Sequence, residues 1–105
     1  MLYEIRYSTL SISDLDNIWN DVYEASKDFD TADNYTESII DIILEKRAFP
    51  NTGIPLVYRG LFTGFYSLNY KKHKVFYRVK DGYIEVSRIL FSKSNYMEVL
   101  FGKGE

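Results

Sequence analysis

Cysteine is absent from this 105-residue chain, which excludes a disulfide framework and any thiolate metal site. That absence also agrees with a reducing compartment. The chain has one histidine, His73, with no carboxylate cluster beside it in sequence. Charges interrupt every apolar run well short of membrane-spanning length. The opening MLYEIRYSTL lacks the cationic and apolar regions of a signal peptide. The expectation is a soluble cytoplasmic protein with no membrane partner. There is no internal repeat, linker or low-complexity segment, and the length suits one domain over residues 1–105.

What the chain does contain is apolar and aromatic material: 46% hydrophobic and 17% aromatic residues, ten of them tyrosines. That is enough for a core, and tyrosine suits a half-buried sheet where the ring packs and the hydroxyl stays wet. The net charge of −2 hides an asymmetry. Residues 1–47 hold four Lys/Arg and eleven Asp/Glu, whereas residues 48–105 hold nine and four. Such a split points to two faces with different partners, or to halves that attract one another.

LYEIRYS alternates as a half-buried strand does, with Tyr3, Ile5 and Tyr7 on one side. STLSISD supplies helix-start signals, with Ser11 or Ser13 as cap and Asp14 and Asp16 in the first turn. Leu15, Ile18, Trp19, Val22 and Phe29 recur near helical spacing, which predicts a helix over about 13–27 with Trp19 in the core. KDFDTADN breaks it. With Thr31 or Asp33 as the next cap, Tyr35, Ile39, Ile42, Ile43 and Lys46 carry a second stripe to about 47. Pro50 and Gly53 then end it. An antiparallel helical hairpin with an acidic outer face is expected.

After Pro55 the chain reads as strand: GLFTGFYSLNY, HKVFYRV and YIEVSRILF. Asp81-Gly82 predicts a type I′ hairpin turn. Val75, Tyr77 and Val79 share one face, and Phe76 and Arg78 the other. Residues 94–101 form a short terminal helix or strand, and the GKGE tail frays. The order β-α-α-β-β-β gives an α+β fold, in which an N-terminal strand and helical hairpin pack on one face of a small twisted antiparallel sheet. The opposite face is expected to be free and cationic.

Lys71, Lys72 and Lys74 flank His73 at the start of the hairpin. They are candidates for binding phosphate or an acidic protein surface; the plainer reading is lysine placed for solubility on an exposed edge. Arg78 either joins them or pairs with Glu85 across the hairpin for about 0.2–1 kcal/mol. Arg88 interrupts an apolar run, so it belongs either to an ion pair with the helices or to a site. Tyr66, Tyr70 and Tyr96 could stack on bases, although packing accounts for them as well.

The β-α-α-β-β-β order, with SDLDNIW opening the helical hairpin, FPNTG (Phe49 to Gly53) closing it, and HKVFYRVKDGYIEVSRILF as the final hairpin, resembles the RelE/ParE toxins of bacterial type II toxin–antitoxin modules. The resemblance covers nearly the whole chain, and FPNTG leans toward the ParE branch. It implies a cognate antitoxin as partner, no cofactor and no metal, and operator DNA contacted only through the antitoxin. Two targets are implied: ParE-like members poison DNA gyrase without catalysis and serve plasmid stabilisation, whereas RelE-like members cut mRNA on the ribosome. A third possibility is an attenuated toxin acting as an antitoxin-binding co-repressor.

Carried over residue by residue, the nuclease's third-strand arginine falls on Lys74, its second-strand lysines near Phe65 and Ser67, and its later arginine near Ser94 beside Lys93. Its terminal tyrosine falls near Leu100, with Tyr96 one turn earlier. The resemblance thus leaves Lys74, His73, Arg88, Lys93 and Tyr96 as the catalytic candidates of an endoribonuclease. Lys71, Lys72, Lys74, Arg78, Arg88 and Lys93 are the target-binding candidates. The ParE-type ILHxxRD ending also departs here, with Phe91 in place of the histidine, Lys93 near the arginine and Asn95 near the aspartate.

Overall fold

The computed structural model describes residues 2–102. Strand β1 (Glu4–Tyr7) leads into helices α1 (Thr9–Ser26) and α2 (Phe29–Leu44), followed by two single 3₁₀ turns at Glu45–Arg47 and Pro50–Thr52. Then come β2 (Ile54–Tyr58), β3 (Leu61–Tyr70), β4 (His73–Val79), β5 (Tyr83–Phe91) and the short helix α3 (Tyr96–Phe101). Of residues 94–101, Tyr96–Phe101 thus form a helix, and of the expected frayed tail all but Gly102 lies outside the described residues.

The caps sit earlier than the serines and acids suggested. Ser8 caps α1, its side chain accepting the Ser11 N–H at 3.0 Å. Asp28 caps α2 through the Thr31 N–H at 3.3 Å, each such cap contributing about 1 kcal/mol. Only Lys27 and Asp28 separate the helices, and Lys27, in the left-handed region at φ +56°, makes the reversal.

The sheet order is β1-β5-β4-β3-β2. It differs from the expected antiparallel sheet in two ways. β2 is an additional strand at one edge, and β1 pairs with β5 in parallel, Ile5 opposite Ile84 and Tyr7 opposite Val86. A parallel neighbour requires a crossover, and here the whole of α1 through β4 supplies it. The β2–β3 turn, Arg59-Gly60, has both φ values positive (+53° and +78°), the feature expected at Asp81-Gly82. At the latter turn only Gly82 is positive, at +83°.

The helices cover one face of the sheet. Ile18, Ile39 and Ile43 pack on Val75, Val86 and Ile89, each worth about 1.5–3 kcal/mol on burial. A bulge makes this possible: Phe76 lies opposite Arg88 and Tyr77 opposite Val86, leaving Ser87 as an extra residue. The extra residue shifts the alternation, so that Val86 and Ile89, three positions apart, both reach the core.

Tyr77 is buried, donating to the Pro50 carbonyl at 2.7 Å and accepting the Gly53 N–H at 3.1 Å. Gly53 needs its missing side chain, because a methyl there would overlap the Tyr77 hydroxyl and sit 3.0 Å from the Tyr66 Cβ. Trp19, expected in the core, is instead half-buried on the outer side of the helical hairpin. It stacks on Tyr23 at 5.5 Å, and its indole N–H donates to Asp33 at 2.7 Å.

Candidate functional site

Alternation along β4 divides the sequence candidates between opposite faces of the sheet. His73 points toward the helices and Lys74 away from them, so the two do not meet in one site.

On the face away from the helices, α3 lies across the sheet. Tyr96 packs on buried Phe76 with centroids 5.0 Å apart, and Phe101 on buried Phe65 at 5.6 Å. The expectation of a free cationic face is therefore corrected: its middle is covered by aromatic rings. Cations remain around the rim, largely occupied by neighbours. Lys74 donates to the side-chain amide oxygen of Asn69 (Oδ1) at 2.7 Å, and its ammonium lies 6.0 Å from the Tyr96 ring centroid. Arg78 pairs with Glu85 at 2.6 Å and lies over the Phe65 ring. Lys93 is exposed.

Arg88 is held further from solvent than Arg78. Its Nε and Nη2 donate to the two Asp14 oxygens at 2.8 and 2.9 Å, and the Ile89 N–H donates to Asp14 as well, at 2.9 Å. The hydrogen bond to Asp14 holds the guanidinium above its ordinary pKa. Where β1 ends, the start of α1 takes over along the edge of β5. Ser8 N–H donates to the Val86 carbonyl and Ser8 Oγ to the Ser87 carbonyl, and Asp14 accepts the next free N–H. Arg88 is thus a clamp between helix and strand.

On the helix side, the β3–β4 turn Lys71-Lys72 overhangs α1 and α2. His73 Nδ1 and the Tyr35 hydroxyl share a 2.7 Å hydrogen bond, which a neutral imidazole accepts when its proton is on Nε2. Burial lowers the His73 pKa, opposed by the nearby Asp21 carboxylate. Burial also raises that of Tyr35. Tyr35 meets Tyr70 edge-on at 5.1 Å, and the Lys71 ammonium lies 5.4–5.7 Å from both ring centroids. Between this turn and α1 is a cleft of about 450 Å³, with Lys72 and His73 on one side and Asp21, Val22 and Ala25 on the other. Among the described residues no group of His, Asp or Glu side chains could hold a metal ion.

The sequence model for the ParE toxin of the type II toxin–antitoxin system parDE matches residues 5–96. This chain belongs to the ParE toxin family. The family member is similar in structure to the chromosomal ParDE toxin–antitoxin system of P. aeruginosa, with TM-score 0.72 and 18% identity over 88% of this chain and 98% of the other. Similarity extends to the RelBE2 toxin–antitoxin complex of Mycobacterium tuberculosis, at TM-score 0.60 and 16% identity over 87% and 99% of the two chains. It extends also to YafQ of E. coli, at 0.57 and 15% over 95% and 99%. No curated protein matches the chain. In this ParE-family toxin the FPNTG segment has a visible job: buried Pro50 and Gly53 hold the Tyr77 hydroxyl between them.

Reasoning from sequence overlooked Asp14, Tyr35, Asn69 and Asp21, the partners that define each cation's surroundings. Asp14 was legible as an acid near a helix start, but its partner lies 74 residues away.

Proposed function

We propose that this chain is a growth-inhibiting toxin that acts by binding DNA gyrase, and that a cognate antitoxin polypeptide neutralises it. One observation carries the choice of binding over cleavage: the groups a ribonuclease would need around one phosphate stand apart and are engaged elsewhere. RNA cleavage through the 2′-hydroxyl requires a proton acceptor, cations for the developing charge and an acid for the leaving oxygen, all converging within hydrogen-bond reach. Here Arg88 grips Asp14, Arg78 grips Glu85, and His73 lies on the other side of the sheet from Lys74 and Tyr96. The likeness to a ParDE system lends further support. On this reading the protein works in the cytoplasm, where gyrase is, and meets operator DNA only through its antitoxin.

Purified protein added to gyrase, ATP and relaxed plasmid should block supercoiling and accumulate cleaved plasmid. Unimpaired supercoiling at saturating protein overturns the proposal. One observation favours the ribosome-dependent endoribonuclease instead: Lys74 and Tyr96 do lie together. Primer extension on transcripts after induction distinguishes the two, because only the nuclease leaves A-site cuts that Tyr96→Ala removes. Normal growth without antitoxin would favour the attenuated co-repressor.

A further inference from the structure

The cleft under the β3–β4 turn, which His73 lines, lies on the opposite side of the sheet from Lys74 and Tyr96. We propose that it is a docking site for a partner polypeptide segment that carries an apolar side chain next to a carboxylate. The inference rests on the toxin reading, under which that partner is the antitoxin.

The walls set the ligand's chemistry. Val22, Ala25 and the exposed Phe91 ring offer apolar surface, which an aliphatic or aromatic side chain covers with gain. Lys72 and Lys71 stand at the mouth as donors for one carboxylate, a charge-assisted contact stronger than a neutral hydrogen bond. A nucleic-acid strand suits the cleft less well. Asp21 forms part of the lip, and Glu24 and Asp28 lie exposed along the same end of the helical hairpin. A chain of phosphates would run against these acids, whereas a single carboxylate needs only the lysine side.

The turn itself is a second sign. Lys71 has φ +49°, a left-handed conformation that is unfavourable for a side-chain-bearing residue and that glycine would adopt freely. A lysine there, with its ammonium against Tyr35 and Tyr70, places charge over the cleft at a cost in local stability. Tyr35 and Lys71 also border a smaller cleft of about 360 Å³ toward Asn34 and Ser38. An extended segment can therefore cross the turn and continue beyond the first pocket.

The test uses the full ¹⁵N-labelled chain and three probes: N-acetyl-Leu-Glu-amide, its Leu-Gln counterpart, and hexauridylate. The acidic dipeptide should give saturable shifts in the amides of Ala25, Ser26, Lys72 and His73. The glutamine version should bind about tenfold more weakly, the equivalent of one charge-assisted contact. Lys72→Ala and Lys71→Gly, both at an exposed turn, should weaken binding without altering the rest of the spectrum, and Lys74→Ala should leave it unchanged. Absence of saturable shifts at these amides overturns the proposal, as does tighter binding of hexauridylate than of the dipeptide. Equal binding of both dipeptides removes the carboxylate and overturns it too. Because no gyrase and no growth readout enters this measurement, its failure leaves the toxin reading standing. Loss of supercoiling inhibition with dipeptide binding intact counts against the toxin reading alone.

Discussion

Asp14 and Arg88 form a two-pronged ion pair across the α1–β5 junction, at 2.8 and 2.9 Å, and the same carboxylate caps the Ile89 N–H. One side chain thereby serves as ion-pair partner and as substitute for a missing strand neighbour. Its side chain is 10% exposed and that of Arg88 23%, so water screens the pair only partly.

Asp14→Ala should therefore lower the unfolding free energy by about 2–4 kcal/mol, somewhat below the cost of breaking a fully buried pair. Arg88→Ala should cost less, since Asp14 keeps the Ile89 N–H. Urea denaturation of the two variants checks the order. A loss below about 1 kcal/mol for Asp14→Ala would place the pair among ordinary surface bridges.

Tyr77 gives an alkaline signature. Burial pushes its pKa up to about 12 from an ordinary 10. The folded state holds this proton more tightly than the unfolded chain does. The resulting stability is present in full below pH 10 and is lost as pH rises through about 12, by roughly 2–3 kcal/mol in total. Tyr77→Phe also leaves the Pro50 carbonyl and Gly53 N–H without this partner, at about 1–3 kcal/mol at neutral pH. Unfolding free energies at pH 8 and pH 11.5 should show a smaller alkaline decline in the variant than in the parent. Equal declines would mean that other tyrosines govern this range.

His73 should titrate below the ordinary histidine value of 6.5, because burial disfavours its charged form. A group depressed in this way stabilises the fold above pH 6.5, and that contribution is lost as pH falls through the lower folded value. NMR titration of the His73 ring protons reads the midpoint directly. Asp21→Asn should move it lower still, since the Asp21 charge is what opposes burial. A rise in that variant would show that Asp21 does not act on the ring.

The elements were legible in the sequence where the signal is local. Leu15, Ile18 and Val22 recur at helical spacing, and HKVFYRV alternates, so α1, β4 and the side toward which Val75 and Phe76 point could be read directly. The cap at Ser8 could not, because Ser11 and Ser13 are equally good residue types a few positions on. Trp19 has the spacing of a core residue, but spacing does not tell which flank of the stripe another helix will cover. Distance in sequence hid the rest. The parallel pairing of Ile5 with Ile84 and the bulge at Ser87 are set by packing between remote segments, as are the Asp14–Arg88 and Tyr35–His73 contacts. Those two contacts decide which cations face outward. The candidate site was visible as a run of positive residues, but its division between two faces was not.

Strand β2 ends the sheet with Ile54, Val57 and Tyr58 open to water, beside a neighbour that offers Leu61 and Phe62 in the same condition. Pro55 and the bulge that follows it interrupt the row of backbone donors, as edge strands often require. The guard is incomplete over Val57 and Tyr58. An open apolar border of this kind is a template on which a further chain, a second copy included, can pair when the protein is concentrated.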